Sequence, residues 1–231
     1  MDYWTNYEVY ERLLEDVHIL IGGSVGSGKS VVMNALIATL LTHDPAEKCM
    51  MLIDPKRVEL VAYKDTAHCI GHATESHEII GLLEKAGRIM ETRYQSMEEQ
   101  RIKRWKGAEL YIFVDEFGDL MTTDRKQFLP LIKRLAQMGR AAGIHVVMAT
   151  QCTLRSVIPT EVKINLDTRV ALRVPSPLDS RNVLDCNGAE KLPKYGQGLI
   201  RWRGEVTPEL WELPMYQDED LDELAQARRR I

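Results

Sequence analysis

Eight consecutive residues, Gly23-Ser24-Val25-Gly26-Ser27-Gly28-Lys29-Ser30, match the pattern GxxxxGK[ST] in full. Glycines let a loop turn tightly enough for successive backbone N–H groups to surround phosphate oxygens. A helix beginning where the loop ends adds positive potential at its N-terminus. Lys29 is then placed to reach the β- and γ-phosphates of ATP, and the Ser30 hydroxyl to bind Mg²⁺. A second segment, Tyr111-Ile112-Phe113-Val114-Asp115-Glu116, is four apolar residues followed by two carboxylates. Such a buried strand would deliver Asp115 to hold Mg²⁺, usually through water, and Glu116 to orient and polarise an attacking water as general base. A strand merely ending at the surface is the plain alternative; a phosphate loop in the same chain argues against it. A third apolar run, from His145 to Ala149, ends in Thr150-Gln151, which would put the Gln151 amide beside the γ-phosphate as a sensor of hydrolysis. Charge developing on a transferred phosphoryl group also calls for a guanidinium. Arg134, Arg140 and Arg155 are the candidates. Arg140 stands in RLAQMGRAAGIH between Gly139 and Gly143, where capping a helix end is an equal use for it. The residues alone leave that choice open.

These groups need a scaffold that brings them together. Short apolar runs at Val17–Ile21, Cys49–Ile53, Leu110–Val114, His145–Thr150 and Arg169–Val174 read as strands. Helical patterns at Lys29–Leu41, His77–Arg104 and Arg125–Ala142 lie between them. Buried strands alternating with longer helical stretches predict an α/β fold, a mostly parallel sheet with helices on both faces. Right-handed crossovers place every strand's C-terminal end on one edge, where ligands bind. From Pro175 onward, Pro175, Pro177, Pro193, Gly196 and Gly198 break the chain into pieces that read as small strands and turns. The tail DEDLDELAQARRRI puts acids first and arginines last, the order that suits a helix dipole, and is expected as a terminal helix with a solvated charged face.

Composition narrows the function classes. The chain has 231 residues, a net charge of −4 and 28% charged residues, ordinary for a soluble globular protein. Contact with a polyanion would have to come from local basic loops. Cys49, Cys69, Cys152 and Cys186 show no metal or redox spacing, which points to free thiols and a cytoplasmic setting. His68, Cys69, His72 and His77 could suggest a metal, but a polar connection leading into a helix explains them as well. MDYWTNYEVYERL has no basic region followed by an apolar run, so it does not read as a signal peptide. The longest apolar-rich run, Val31 to Leu41, is too short to span a membrane.

Seven segments together resemble the motor domain of the FtsK/SpoIIIE family of double-stranded DNA translocases: HILIGGSVGSGKSVVMNALI, MLIDPKRVELVAY, IMETRY, YIFVDEFGDLM, RLAQMGRAAGIHVVMATQ, VIPTEVKINLDTRVALRV and SPLDSRNVLDCNGAEKL. They run in family order and cover most of Val17 to Gly198. DPKRVEL, GRAAGIH and DSRNVLD…GAEKL distinguish this branch from other phosphate-loop proteins. The resemblance implies a RecA-like P-loop core spanning residues 17–231, with residues 1–16 as a lead-in left from a preceding small domain or linker. It further implies a homo-oligomeric ring, usually a hexamer, around duplex DNA, movement driven by ATP hydrolysis, and Arg140 acting in trans on a neighbour's ATP. By the same resemblance Arg155, Lys163 and Arg181 lie near the DNA backbone.

The chain departs from the family at two DNA-facing places. Family members read ATQRPS where this chain has Ala149-Thr150-Gln151-Cys152-Thr153-Leu154, and a basic residue common before the aspartate of DSR is Leu178 here. Each change removes a potential phosphate contact. The membrane helices, most of the preceding small domain and the winged-helix module of the family have no counterpart in this sequence. That fits a minimal member from a mobile element or phage, working with a membrane-anchored partner, and fits a piece of a longer chain equally. Two other classes compete with DNA translocation. A protein-secretion ATPase of the same superfamily is favoured by the less basic loops and opposed by DPKR and GAEKL. A nucleotide-dependent assembly module would bind ATP without transport.

Overall fold

Alternate residues of each central strand belong to different hydrophobic cores. Leu110, Ile112 and Val114 join one, and Tyr111 and Phe113 the other. Ile144, Val146 and Met148 likewise part from Val147 and Ala149. Side chains on a strand point alternately to opposite faces, so these strands form a sheet buried on both sides. A computed structural model describes residues 7–16, 18–154, 157–213, 225, 226 and 228. Its strands are β1 (His18–Gly22), β2 (Lys48–Ile53), β3 (Cys69–Ala73), β4 (Glu109–Val114), β5 (Ile144–Thr150), β6 (Thr168–Ala171), β7 (Gln197–Arg201) and β8 (Glu209–Glu212). They make one sheet in the order β3-β2-β4-β5-β1-β6-β7-β8. The first six run parallel, and β7 and β8 complete it antiparallel. The expected α/β architecture is therefore present.

The helices are α1 (Tyr7–Glu15), α2 (Lys29–Leu40), α3 (Ser76–Glu99), α4 (Phe117–Thr123), α5 (Arg125–Met138), α6 (Thr160–Lys163) and α7 (Pro177–Leu184). Helices α3, α4 and α5 cover one face through Ile79, Leu83, Leu120, Phe128 and Ile132. Helices α1 and α2 cover the other through Tyr10, Leu13, Leu14, Val32, Leu36 and Leu40.

The structure adds the helices α1, α4 and α6 to the sequence expectation and differs from it elsewhere as follows. The stretch from His68 to His77 is not only a connection: Cys69–Ala73 is an edge strand parallel to β2. Gly71 masked it, because glycine weakens a strand pattern; here a Cβ would lie 2.5 Å from Leu82 Cδ1, so α3 packs directly on the strand. The stretch after Pro175 contains a helix, α7. Ser176 caps it by accepting from Asp179 N at 3.3 Å, and Pro177 occupies its first turn. Two long helices end early, α3 at Glu99 and α5 at Met138, so Arg140 lies in the turn before β5. The tail expected as a terminal helix, and Val17 at the start of the first strand, fall outside the described residues except for 225, 226 and 228. There Ala225 is buried in the second core, and Ala67 N donates to Arg228 O at 2.8 Å.

Candidate nucleotide site

β1 ends at Gly22, and residues 23–28 turn into α2 at the sheet's C-terminal edge. Two glycines make the turn possible. Gly26 and Gly28 have φ of 70° and 101°, a region closed to most side chains. Gly23 admits no side chain for a different reason: a Cβ would lie 2.5 Å from Ser27 Oγ and 2.9 Å from Leu172 Cβ. Lys29 is buried and folded back on its own loop, donating to Gly23 O at 2.7 Å and Ser24 O at 2.8 Å. Burial pushes its ammonium down to about 8, against the attraction of Glu116 and Asp115.

The two acidic residues meet this loop through β5, which lies between β4 and β1. Gly23 N donates to Thr150 O at 3.3 Å on one side. On the other, the Glu116 carboxylate accepts from Thr150 Oγ1 at 2.7 Å and from Gln151 N at 2.9 Å. Glu116 also accepts from Gly118 N at 3.2 Å, caps α4, and is only 3% exposed. Asp115 is buried beside it and pushed up to about 7, first by burial, then by Asp54, Glu59 and Glu116. The Gln151 side chain is exposed at this same edge.

The donor set fits a magnesium nucleotide. Ser27 Oγ and Asp54 Oδ1 are buried without a protein partner, leaving polar atoms free at the loop and the acidic strand ends. Asp54, Glu59, Asp115 and Glu116 outnumber the nearby ammoniums of Lys29 and Lys56, an imbalance that a divalent cation corrects. No group of three or more His, Cys, Asp or Glu side chains among the described residues forms a metal cage. Mg²⁺ would thus be held by Ser30, Asp115 and the phosphates themselves.

The sequence reading missed three partners: Thr150, Asp54 and Lys56. Asp54 follows β2 directly, and its Oδ2 accepts from Leu60 N at 3.0 Å, closing the 54–60 turn. Lys56 on that turn pairs with Glu116 Oε2 at 3.6 Å and Asp119 Oδ2 at 4.0 Å. The motif DPKRVEL was the available signal for Asp54 and Lys56, but only folding brings Lys56 to Glu116.

The arginine candidates separate. Arg134 pairs with Glu91 at 2.6 Å on the helical face. Arg140 is exposed at the sheet's N-terminal edge, in a hollow it shares with His18, Asp167, Thr168 and Arg203. The length of β1, on the order of 16 Å, separates it from its own phosphate loop. Arg155 lies outside the described residues. Lys163 is 13% exposed in its side chain and is held by Asp185 at 2.6 Å and by Arg181 O at 3.1 Å. Arg181 is exposed, with Nη1 donating to Asn187 Oδ1 at 2.7 Å. The two departures noted above touch each other: Thr153 Oγ1 donates to Asp179 Oδ1 at 2.6 Å, flanked by exposed Leu154 and Leu178.

A family model described as FtsK/SpoIIIE family matches residues 3–111 and 104–154, more than half of the sequence. The chain belongs to the FtsK/SpoIIIE family. Relatives include the DNA translocase FtsK of Helicobacter pylori J99, 39% identical over 198 residues, covering 79% of this chain and 24% of that protein. The DNA translocase FtsK of Clostridium tetani is 39% identical over 207 residues, covering 83% of this chain and 28% of that protein. This FtsK/SpoIIIE chain thus spans about a quarter of the length of these curated relatives. Among solved structures, the pCW3 conjugation coupling protein TcpA, monomer form with ATPgS, superposes with a TM-score of 0.81 at 21% identity, over 94% of this chain and 66% of that one. EssC (ATPases 2 and 3) from Geobacillus thermodenitrificans gives a TM-score of 0.81 at 21% identity, over 93% and 44%. At such identities the likeness concerns the fold, that of P-loop ATPases.

Proposed function

We propose that this FtsK/SpoIIIE chain hydrolyses Mg-ATP and couples the reaction to movement of double-stranded DNA, as a subunit of a homo-oligomeric ring. The observation carrying the chemistry is the joint at Thr150 and Gln151, which ties the phosphate loop and Glu116 to one sheet edge. In this reading Lys29 and Ser30 hold the nucleotide, Asp115 orders Mg²⁺, Glu116 activates water and Gln151 senses the γ-phosphate. Arg140 serves a neighbour's ATP, since it lies at the opposite edge from its own. Arg155 and Arg181 contact the phosphate backbone of DNA, a grip with little sequence preference. Lys163 joins them only if it leaves Asp185. Four free cysteines fit a cytoplasmic setting. No helix among the described residues is long and apolar enough to cross a membrane, so attachment to one calls for a membrane-anchored partner or another segment.

A polypeptide cargo is the second reading. Exposed Leu154 and Leu178, together with the capture of Lys163 by Asp185, favour it. The deciding experiment measures ATPase rate with and without linear duplex at low salt, with Lys29→Ala as the inactive control. Stimulation by duplex that fades as salt rises is expected. A rate indifferent to duplex but raised by an unfolded or signal-bearing peptide would transfer the proposal to protein transport.

A further inference from the structure

A general base needs a free lone pair, and hydrogen bonds leave Glu116 about one. A carboxylate offers about four acceptor positions. Here Oε1 accepts from Thr150 Oγ1 and Gly118 N and Oε2 from Gln151 N, while the Lys56 ammonium lies 3.6 Å from Oε2 and faces the position that remains. Three of these donors are built into the fold. Gly118 N and Gln151 N are backbone groups, and Thr150 is fully buried. The Gly118 backbone sits so close that a Cβ there would lie 2.8 Å from Glu116 Oε1. Lys56 is different. It is a long side chain, 38% exposed, at ion-pair rather than hydrogen-bond distance. Its turn is pinned at the base by Asp54, through Leu60 N at 3.0 Å and Arg57 N donating to Asp54 O at 3.1 Å. The ammonium can therefore swing while its backbone stays put. It also lies close enough to Lys29 to oppose that residue's charge.

We infer that Lys56 is a positioning residue that keeps Glu116 out of use until a terminal phosphate draws its ammonium away. The inference rests on the reading of Glu116 as general base. A triphosphate offers a denser negative charge than the Glu116 carboxylate and competes for the same cation. With a diphosphate that pull is missing, and Lys56 remains on Glu116. Water is then activated only when there is a γ-phosphate to attack.

The test is equilibrium binding, by displacement of a fluorescent ADP analogue from the full chain with Mg-ADP or Mg-ATPγS. Lys56→Met should weaken ATPγS by about tenfold and leave ADP within about twofold. Lys56→Arg keeps the charge and should keep the preference for ATPγS. Glu116→Gln removes the nearer of the two carboxylates that compete for Lys56, Asp119 being the other, so it should tighten ATPγS relative to ADP while abolishing turnover. Equal losses for both nucleotides in Lys56→Met, or none, with turnover absent in Glu116→Gln, would overturn the role of Lys56 and leave the base standing. Turnover surviving in Glu116→Gln would remove the base and the inference with it. Thermal unfolding checks that the variants fold, and Lys56→Gln replaces Lys56→Met if that variant does not.

Discussion

Asp115 carries a cost that its proposed role at Mg²⁺ would explain. Its carboxyl is pushed up to about 7 by burial and by Asp54, Glu59 and Glu116. Between about pH 4 and 7 the folded chain keeps a proton there that the unfolded chain has released. The stability tied to this group is therefore full below pH 4 and is lost as pH rises through 7. Asp115→Asn, which removes the charge, should raise the melting temperature of the nucleotide-free chain at pH 8 by about 5 °C, with a smaller gain at pH 5. Thermal melts at the two pH values measure this; an Asn variant no more stable at pH 8 would contradict it. Lys29 shows a similar tension, its ammonium lowered to about 8 by burial while it donates to two carbonyls of its own loop. Most of this scale was readable beforehand: the identities of Lys29, Ser30, Asp115 and Glu116 follow from two short motifs. Thr150 was not, because a threonine at a strand end has many uses and only its 2.7 Å contact with Glu116 gives it this one.

The turn from Arg140 to Gly143 is held as firmly as the phosphate loop. Arg93 on α3 sends Nη1 to Ala142 O at 2.8 Å and Gly143 O at 2.9 Å. Trp105 N donates to Ala141 O at 2.8 Å, and the Arg93 guanidinium lies 5.1 Å from the Trp105 ring centroid. Gly143, at φ 63°, lets the chain turn into β5. Arg93→Leu would strip a charged donor from two carbonyls and should cost about 3 kcal/mol, read by chemical denaturation. It should also lower turnover more than nucleotide affinity, because the turn it anchors carries Arg140. At this scale the strands with continuous apolar runs were legible, whereas β3, α7 and the short helices α1, α4 and α6 were not. An edge strand containing Gly71 and a helix started by Ser176-Pro177 carry weak periodic signals, and each is held by packing on a neighbour.

The sheet as a whole puts the two halves of the proposed reaction on opposite edges, with the phosphate loop at the strands' C-terminal ends and Arg140 at their N-terminal ends. A monomer cannot bring them together, whereas a head-to-tail assembly can. Arg140→Ala should therefore abolish turnover and preserve nucleotide binding. Mixing Arg140→Ala with Lys29→Ala, each inactive alone, should restore part of the wild-type rate through sites that draw Lys29 from one subunit and Arg140 from the next. A mixture as inactive as its components would contradict the trans arrangement, and loss of binding in Arg140→Ala would point to a folding role.

Local order along the chain was enough to nominate the candidate reactive groups and to reveal the alternation of strand and helix and the FtsK/SpoIIIE resemblance, because each depends on residues close together in sequence. Strand order, the place of β5 between the two motifs, and the meeting of Lys56 with Glu116, 60 positions on, and of Glu116 with Thr150, 34 further, depend on residues far apart in sequence, brought together when both faces of one sheet are buried. Periodicity reports which face a residue takes, and carries no record of which strand will lie beside it.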